Sequence, residues 1–527
     1  MNPDVTVITG AYNSMPYVTR TVTSVFEQTM ASDRFEYIIV NDGSTDGTGE
    51  ELDRLATVHP ELRVIHQENS GGEAAPRNVA LNLARGRYVF FLDADDYLGP
   101  EALERMVRAA DENGTDVILG KMVGIGGRHA PQSMFAETQL RTTVFQSRAN
   151  WTYNPMKMFR RELIERLGLR YREDMRYAAD QPFTMMAYLH AEAITILADY
   201  DYVYWVERDD GGNITSSTQP LEYALQPLRV MFPMIADHVE PGPARDALMR
   251  RHFISDMETA WRSLARSADR AAQTAALAEM RAWTDAYYNE RVAEGFGIQR
   301  RCAYHLVQRG MLDELLETVR FTFAKRVARK VVEAGRVYAA YPMFRHATAG
   351  IPDEWFDVTD AVRMTRHLES ARWEDARFVL RGHALCRGID SEPGAVSLLL
   401  RERSTAEEYA ISADTVPMPE LTELLGYSGL VDHGAAGFSA AIDPATAADG
   451  RMLPDGLWDV YVRYSNAGFT LENRLGHHRA DTLDTSPTAR IVPGDTGAPV
   501  VTAYYTDPHG NLTLDVGERK HRVADLV

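Results

Sequence analysis

Short apolar runs alternate with amphipathic stretches through roughly the first 120 positions of the chain. Residues 5–9, 37–40, 62–66 and 88–92 are apolar enough on both faces to form buried strands of a parallel sheet. Between and after them, residues 16–28, 48–58, 73–84 and 100–113 carry apolar positions at helical spacing, and Pro100 is well placed for a helix start. Such alternation implies βαβ crossovers. Turn-forming residues cluster where the strands should end, at 41–44, 69–72 and 93–96, and so gather on one edge of the sheet. From about 221 to 344 the apolar residues fall three and four apart, which predicts several helices. There, residues 325–336 set Lys325, Arg326, Arg329, Lys330 and Arg336 among valines, the pattern of a basic amphipathic helix. Such a helix is either an ordinary surface element or a patch for an anionic polymer or a membrane surface. Beyond about 347 the pattern changes to short strand-like runs, at 377–385, 396–401, 458–464, 500–505 and 512–516, separated by turn signals. These predict one or two immunoglobulin-like β-sandwiches. The expected organisation is an α/β domain over 1–220, a helical region over 221–346 and an all-β region over 347–527.

Composition narrows the classes. The 527 residues, 45% hydrophobic and 25% charged, suit a globular protein of about three or four domains. No apolar run reaches the roughly 20 residues that span a bilayer, and the first residues carry no visible secretory signal. Cys302 and Cys386 are the two cysteines, far apart, which points to core positions and a reducing cytoplasm. A net charge of −19 argues against general nucleic-acid binding while leaving room for a local basic patch.

The chemistry concentrates at the end of the fourth strand, where Tyr88 to Asp96 reads YVFFLDADD. Ligands of open parallel sheets bind beyond the carboxyl ends of the strands, where Asp93, Asp95 and Asp96 should sit. Three carboxylates in four residues form either a solvated acidic turn or a site for a hard divalent ion, Mg²⁺ or Mn²⁺, that also holds a phosphate. Asp42, at another strand end, can accept from a base N–H or a ribose hydroxyl, or else make an Asx-turn or helix cap. Asn69 is placed to read a base edge. Arg77, early in a helix at the same edge, suits a phosphate contact or a surface ion pair.

Four segments in order, VTVITGAYN, IIVNDGSTDGT, NSGGEAAPRNVAL and FLDADD, resemble the inverting family 2 glycosyltransferases of GT-A fold (a Rossmann-like α/β domain), over about residues 3–220. The resemblance implies that Thr9, Ala11, Tyr12 and Asp42 line a uridine pocket with Asn69 and Arg77 nearby. It implies that Asp93, with Ala94 beside it, meets the ribose or the ion, and that Asp95 ligates the metal on the diphosphate. Residues 173–183, EDMRYAADQPF, resemble the family's Glu-Asp-x-x-Phe element, which makes Asp180 the catalytic base. Ala179 departs from the acidic residue usual there. Asp174 is the competing candidate, and Asp180 could instead cap a helix. In residues 202–217, Arg208 and Ser216 match an Arg and a Ser/Thr on a loop that closes over the diphosphate, with Asn213 and Thr215 as alternatives; Gly211-Gly212 would let that loop move.

The resemblance extends to the wall teichoic acid poly(ribitol phosphate) N-acetylglucosaminyltransferases, which join a transferase domain to a helical linker and C-terminal β-domains. It implies transfer of a sugar, expected to be GlcNAc, from a UDP-sugar to a hydroxyl of an anionic polyol-phosphate polymer with inversion, dependent on Mn²⁺ or Mg²⁺. A cytoplasmic enzyme, with peripheral contact at the inner membrane surface and oligomerisation through the C-terminal β region, completes that expectation. The alternative acceptors are a capsular or exopolysaccharide repeat or a lipid-linked glycan. A nucleotidyltransferase would need a basic, glycine-rich phosphate loop, which residues 9–13 do not supply. A non-catalytic glycan-binding scaffold is the remaining rival, supported only by Ala179.

Overall fold

The computed structural model describes residues 3–213, 218–427, 429–493 and 498–521, which form two compact units. The first is built from Met1–Gly297 and Leu306–Arg320, the second from Ile298–His305 and Phe321–Val527.

The first unit opens with the expected alternation: β1 (Val5–Ala11), α1 (Tyr17–Phe26), β2 (Phe35–Asp42), α2 (Thr48–Val58), β3 (Leu62–Gln67), α3 (Ala74–Leu81) and β4 (Tyr88–Phe91). All four residues of β4 are fully buried, as an apolar run between two helical layers requires. The helices turn single faces inward, α1 through Val18, Val22 and Val25. After β5 (Tyr97–Leu98) and α4 (Ala102–Asn113) come β6 (Val117–Gly120), β7 (Met122–Ile125), β8 (Gln139–Thr142), β9 (Met158–Arg160), α5 (Arg161–Leu167), α6 (Asp180–His190), β10 (Ile194–Leu197) and β11 (Val203–Val206). The main sheet runs β3-β2-β1-β4-β9-β6-β10-β8. It is parallel from β3 to β4, and β9 enters antiparallel to both β4 and β6. A small sheet, β5-β11-β7, stands beside it. Gly10 lets α3 approach β1 closely, since a Cβ there would sit 3.1 Å from Pro76 Cγ.

The helices that follow are α7 (Leu221–His238), α8 (Pro243–Ile254), α9 (Asp256–Arg266), α10 (Arg270–Tyr287), α11 (Glu290–Ala293), α12 (Ile298–Arg309) and α13 (Leu312–Phe323). Helix α7 buries Leu228, Met231, Phe232 and Ile235 and packs against α6, α8 and α9. Among the described residues no helix is long and apolar enough to cross a membrane.

The expected basic helix at 325–336 is a hairpin instead. Strands β12 (Lys330–Glu333) and β13 (Arg336–Ala339) pair antiparallel, with Ala334 and Gly335 both at positive φ (49° and 80°) in the two-residue turn. Adjacent β-branched Val331 and Val332 and the Ala-Gly turn outweigh the helical spacing. Its cations do not form one basic face: Arg329 pairs with Asp390, Lys330 Nζ donates to the Arg387 carbonyl at 2.7 Å, and Arg336 meets Asp357 at 2.7 Å.

The rest of the second unit is one two-sheet sandwich, not two. Its strands are β14 (Met364–Glu374), β15 (Arg377–Cys386), β16 (Ala395–Glu402), β17 (Glu408–Ser412), β18 (Asp414–Val416), β19 (Gly437–Ile442), β20 (Gly456–Asn466), β21 (Phe469–Arg474), β22 (Thr488–Ile491), β23 (Val500–Tyr505) and β24 (Leu512–Val516), with a short helix α14 (Glu420–Leu425). One sheet is β14-β15-β19-β18; the other is β17-β16-β20-β24-β23-β22, with β21 paired to β20. Leu368, Leu380, Phe438, Leu398, Trp458, Val460 and Leu514 join both sheets in one core. Cys302 and Cys386 are free and buried, and burial pushes each thiol up to about 12.

Candidate functional site

Strand β1 has β2 on one side and β4 on the other, so the order of the sheet reverses at β1, and the crevice beyond the carboxyl ends of β1 and β4 is a topological switch point. A cavity of about 610 Å³ opens there, within the usual size of a small-ligand site.

One end is formed by Ala11, Tyr12, Asp42 and Asn69. The Asp42 carboxylate is buried and held: Oδ1 accepts from Gln67 Nε2 at 2.5 Å, and Oδ2 accepts from Ser70 Oγ at 2.9 Å. It thus ties the ends of β2 and β3 together rather than making an Asx-turn. Asn69 Nδ2 donates to the Asp42 carbonyl at 3.0 Å. Gly43, at φ +69°, lets Asn69 come this close, because a Cβ would sit 2.6 Å from the Asn69 nitrogen. Tyr12 is half exposed. Thr9, expected in the pocket, is absent from its lining: it is fully buried in β1, and its hydroxyl donates to the Leu92 carbonyl at 2.8 Å. Thr9 and Ala11 share one face of the strand, but Thr9 lies within the sheet, where its hydroxyl is bonded to Leu92, while Ala11 ends the strand at the cavity.

The acidic run divides. Asp93, Ala94 and Asp95 line the cavity, but Asp96 is buried, its Oδ1 accepting from the Val206 N–H at 2.8 Å and so anchoring β11. Asp93 takes the Arg77 guanidinium at 2.6 Å; Arg77 is itself buried, lies 3.2 Å from Glu73 and faces the Tyr171 ring, so it is no surface ion pair. Asp95 is pushed up to about 6 by burial and by the Asp93 charge, with Arg208 and Arg128 offsetting part of that. Asp96 is raised further by burial and by both neighbours.

Asp180 opens α6, with Ala179 in the capping position and no side-chain capping bond, so the helix-cap reading of Asp180 does not hold. The residue two before it, Ala178, has φ +57°, a left-handed conformation that is strained for a residue with a Cβ and recurs at functional sites. The Asp180 carboxylate reaches the cavity and makes no hydrogen bond among the described residues. Burial and the Glu73 charge push it up to about 7, against the pull of Arg77 and Lys157. Lys157, fully enclosed and pushed down to about 7 by burial, donates to Asn154 Oδ1 at 2.9 Å and pins the 152–157 loop. Asp174 is exposed, paired with Arg172 at 2.6 Å and absent from the cavity lining.

Arg208 lines the opposite side. Its Nη2 donates to the Asn13 carbonyl at 2.8 Å and to Asp210 at 2.7 Å, over the Tyr17 ring. Asn213 accepts from the Arg208 N–H and donates to Asp95 Oδ2 at 3.0 Å, which links the loop after β11 to the acidic pair. Ser216 and Thr215 lie outside the described residues.

A further wall is absent from the sequence reading. Arg251, Ser255, Asp256 and Thr259, from α8 and α9, reach the cavity alongside Trp151, Tyr153, Tyr177 and Trp205. Asp256 is the hub: it takes Arg251 Nη1 at 2.6 Å, His252 Nδ1 at 2.6 Å and Gln181 Nε2 at 3.1 Å. Burial would raise its carboxyl, but Arg251 and His252 hold it down at about 2. The His252–Asp256 spacing of one helical turn was the only local signal, and it does not say which cavity the pair would border.

Asp93 and Asp95 offer hard oxygen donors in a pocket where their mutual repulsion has already raised one of them, so the donor set fits a divalent cation such as Mg²⁺ or Mn²⁺. Among the described residues no group of three or more His, Cys, Asp or Glu side chains could hold a metal alone. Further ligands would therefore have to come from a substrate or water, as is usual for Mg²⁺.

Three stretches of the chain match known protein families. Residues 6–168 match Glycosyl transferase family 2, residues 222–319 the Glycosyl transferase TarS linker domain, and residues 357–516 the TarS beta-glycosyltransferase C-terminal domain 1. The chain is 26% identical to a poly(ribitol-phosphate) beta-glucosyltransferase of Bacillus spizizenii, over 99% of this chain and 80% of that protein. It is 40% identical to the poly(ribitol-phosphate) beta-N-acetylglucosaminyltransferase TarS of Staphylococcus aureus, over 38% of this chain but only 35% of that protein's length. The crystal structure of S. aureus TarS covers 97% of this chain and 85% of its own at TM-score 0.57 and 24% identity, a likeness of fold. TarS 1-349 in complex with UDP-GlcNAc covers 64% of this chain and 97% of its own, at TM-score 0.55 and 29% identity.

Proposed function

We propose that this family 2 glycosyltransferase, which also carries the linker and first C-terminal domain of the TarS enzymes, moves a sugar from a UDP-sugar to a hydroxyl of a poly(ribitol phosphate)-type polymer, inverting the anomeric carbon. The observation that carries the reading is the Asp180 carboxylate: without a hydrogen bond among the described residues, raised to about 7, and lining the same cavity as Asp93 and Asp95. An acid of that strength is a better base near neutrality than an ordinary aspartate. Asp180 takes the proton of the acceptor hydroxyl as its oxygen bonds to the anomeric carbon, while the bond to the diphosphate breaks and its electron pair leaves with the diphosphate. Inversion follows from one displacement without an enzyme nucleophile. Arg208 faces the departing charge, with Arg77 orienting Asp93. Asp95, with Asp93 beside it, would hold Mn²⁺ or Mg²⁺, which supplies further positive charge to the diphosphate. Ala11, Tyr12, Asp42 and Asn69 form the nucleoside end of the cavity.

GlcNAc is the donor sugar favoured by the TarS complex with UDP-GlcNAc. Glucose is the second reading, favoured because the match spanning 99% of the chain is to a beta-glucosyltransferase. The same reading carries a cytoplasmic enzyme at the inner membrane surface that assembles through its C-terminal strands, for which light scattering of the whole chain is the test. The decisive assay offers UDP-GlcNAc and UDP-glucose with synthetic poly(ribitol phosphate), Mn²⁺ present or chelated. Ion-dependent transfer from one donor, lost in Asp180→Asn, is expected. Transfer persisting in that variant sinks the assignment of the base, and no nucleotide binding at all sinks the catalytic reading.

A further inference from the structure

The second unit carries a groove of about 410 Å³ at the ends of β14, β20 and β21 and the turn before β24, bordered by Arg366, Asn473, Arg474, His477, His509 and Asn511. Its charge is unbalanced in one place. Arg474 is answered by Asp459 at 2.6 Å, and the carboxylate on the groove, Glu472, is held by Arg401 at 2.8 Å and Arg463 at 2.6 Å. Arg366 has no such answer. Its Nε donates to the Arg474 carbonyl at 2.7 Å, and its Nη groups have no carboxylate or other partner among the described residues. It is nonetheless half-buried, and burial lowers its pKa. A desolvated guanidinium without an anion is unfavourable, and binding one would offset that. The side-chain amides of Asn473 and Asn511 also make no hydrogen bond among the described residues. His477 Nδ1 lies 2.7 Å from the His509 carbonyl, so Nδ1 carries the proton and the ring's other nitrogen is left for a ligand.

We propose that this groove is a second polymer-binding site, in which Arg366 takes a phosphodiester of a polyol-phosphate chain and Asn473, Asn511 and His477 take the neighbouring hydroxyls. That the bound chain is the acceptor polymer rests on the proposed function above. A planar guanidinium fork suits a phosphodiester, and amides and imidazole suit polyol hydroxyls. A second attachment point on one chain raises the local concentration of a long acceptor without a new contact in the active site, so long acceptors gain over short ones.

The test uses the whole chain, with poly(ribitol phosphate) of many repeats and a trimer as paired probes. Wild type should bind the long polymer without donor, more weakly as salt rises. Arg366→Glu should weaken that binding at least fivefold and lower the kcat/KM preference for long over short acceptor by a similar factor, while Arg366→Lys keeps part of both. Asn511→Ala should lower the same preference, and its amide holds no part of the fold, so it reports even if Arg366→Glu unfolds. An unchanged preference in folded Arg366→Glu and Asn511→Ala overturns the proposal. So does loss of binding to anionic phosphatidylglycerol vesicles with polymer binding intact, which would make the groove a lipid-headgroup site. Transfer onto the polymer with no effect of either variant overturns the groove alone, whereas failure of wild type to transfer to or bind any polyol phosphate overturns the functional reading beneath it.

Discussion

The sandwich and the part of the first unit around Asp95 and Asp180 treat buried carboxylates in opposite ways, although Asp42 and Asp256 of the first unit are satisfied. In the sandwich, Asp459 receives Arg403 and Arg474, each at 2.6 Å, and Thr513 at 2.8 Å. Asp515 accepts three backbone N–H groups, from Arg519, Lys520 and His521, between 2.7 and 2.8 Å. Glu402, which burial would raise, is brought down to about 2 by hydrogen bonds from Ser404, Thr405 and Leu457. In the first unit, Asp95 and Asp180, which border the cavity, are left under-compensated and both are raised. A carboxylate that only holds a fold is satisfied by its neighbours, whereas one kept for a cation or a proton is left partly unanswered.

The comparison breaks most visibly at Asp180. Asp180→Asn should lower kcat on the order of 10²- to 10⁴-fold while leaving the protein folded. It should also raise the melting temperature at pH 8. A raised carboxyl pKa means the native state holds the proton more tightly than the unfolded chain, so this group's contribution to stability falls as pH rises from about 4 through 7. At pH 4 the gain should vanish; a lower melting temperature at pH 8 would refute the account.

Asp459→Ala should do the reverse. It strands two partly exposed guanidinium groups and should destabilise the sandwich by about 1–3 kcal/mol in urea unfolding, as leaving polar groups without their partner does. A loss below about 1 kcal/mol would show that the two regions do not differ as argued.

Asp95→Asn should weaken UDP binding in the presence of Mn²⁺ at least tenfold by calorimetry and erase the difference between Mn²⁺ and chelator. Retained ion dependence would remove Asp95 from the proposed ion site.

Two finer effects follow from the proton. Because the base must be ionised, wild-type kcat should rise about tenfold per pH unit below its apparent pKa near 7 and level off above it. Glu73→Gln deletes the like charge that ranks after burial in raising Asp180, so that limb should move to lower pH by a fraction of a unit. An unmoved limb would remove Glu73 from the causes and leave burial and Asp93.

The sequence by itself determined the βαβ half of the first unit. Helix α2 lies at Thr48–Val58 as its periodicity predicts, and β1 to β4 fall where the apolar runs do, because burial on both faces leaves a local imprint. The ordered motifs also brought Ala11, Tyr12, Asp42, Asn69, Arg77, Asp93, Asp95, Asp180 and Arg208 to one cavity, since parallel strands deliver their carboxyl ends to one edge. Tertiary structure decided the rest. Thr9 and Ala11 differ by where the strand meets the crevice, and Asp95 and Asp96 by which one β11 captures. The 325–336 segment satisfies a helical and a strand pattern alike, and its pairing as a hairpin decides. Arg251 and Asp256 border the cavity, and the raised pKa of Asp180 exists, only because segments far apart in the chain pack around it. Local pattern records which face of an element is dry; the neighbours of a charge depend on contacts that spacing along the chain does not encode.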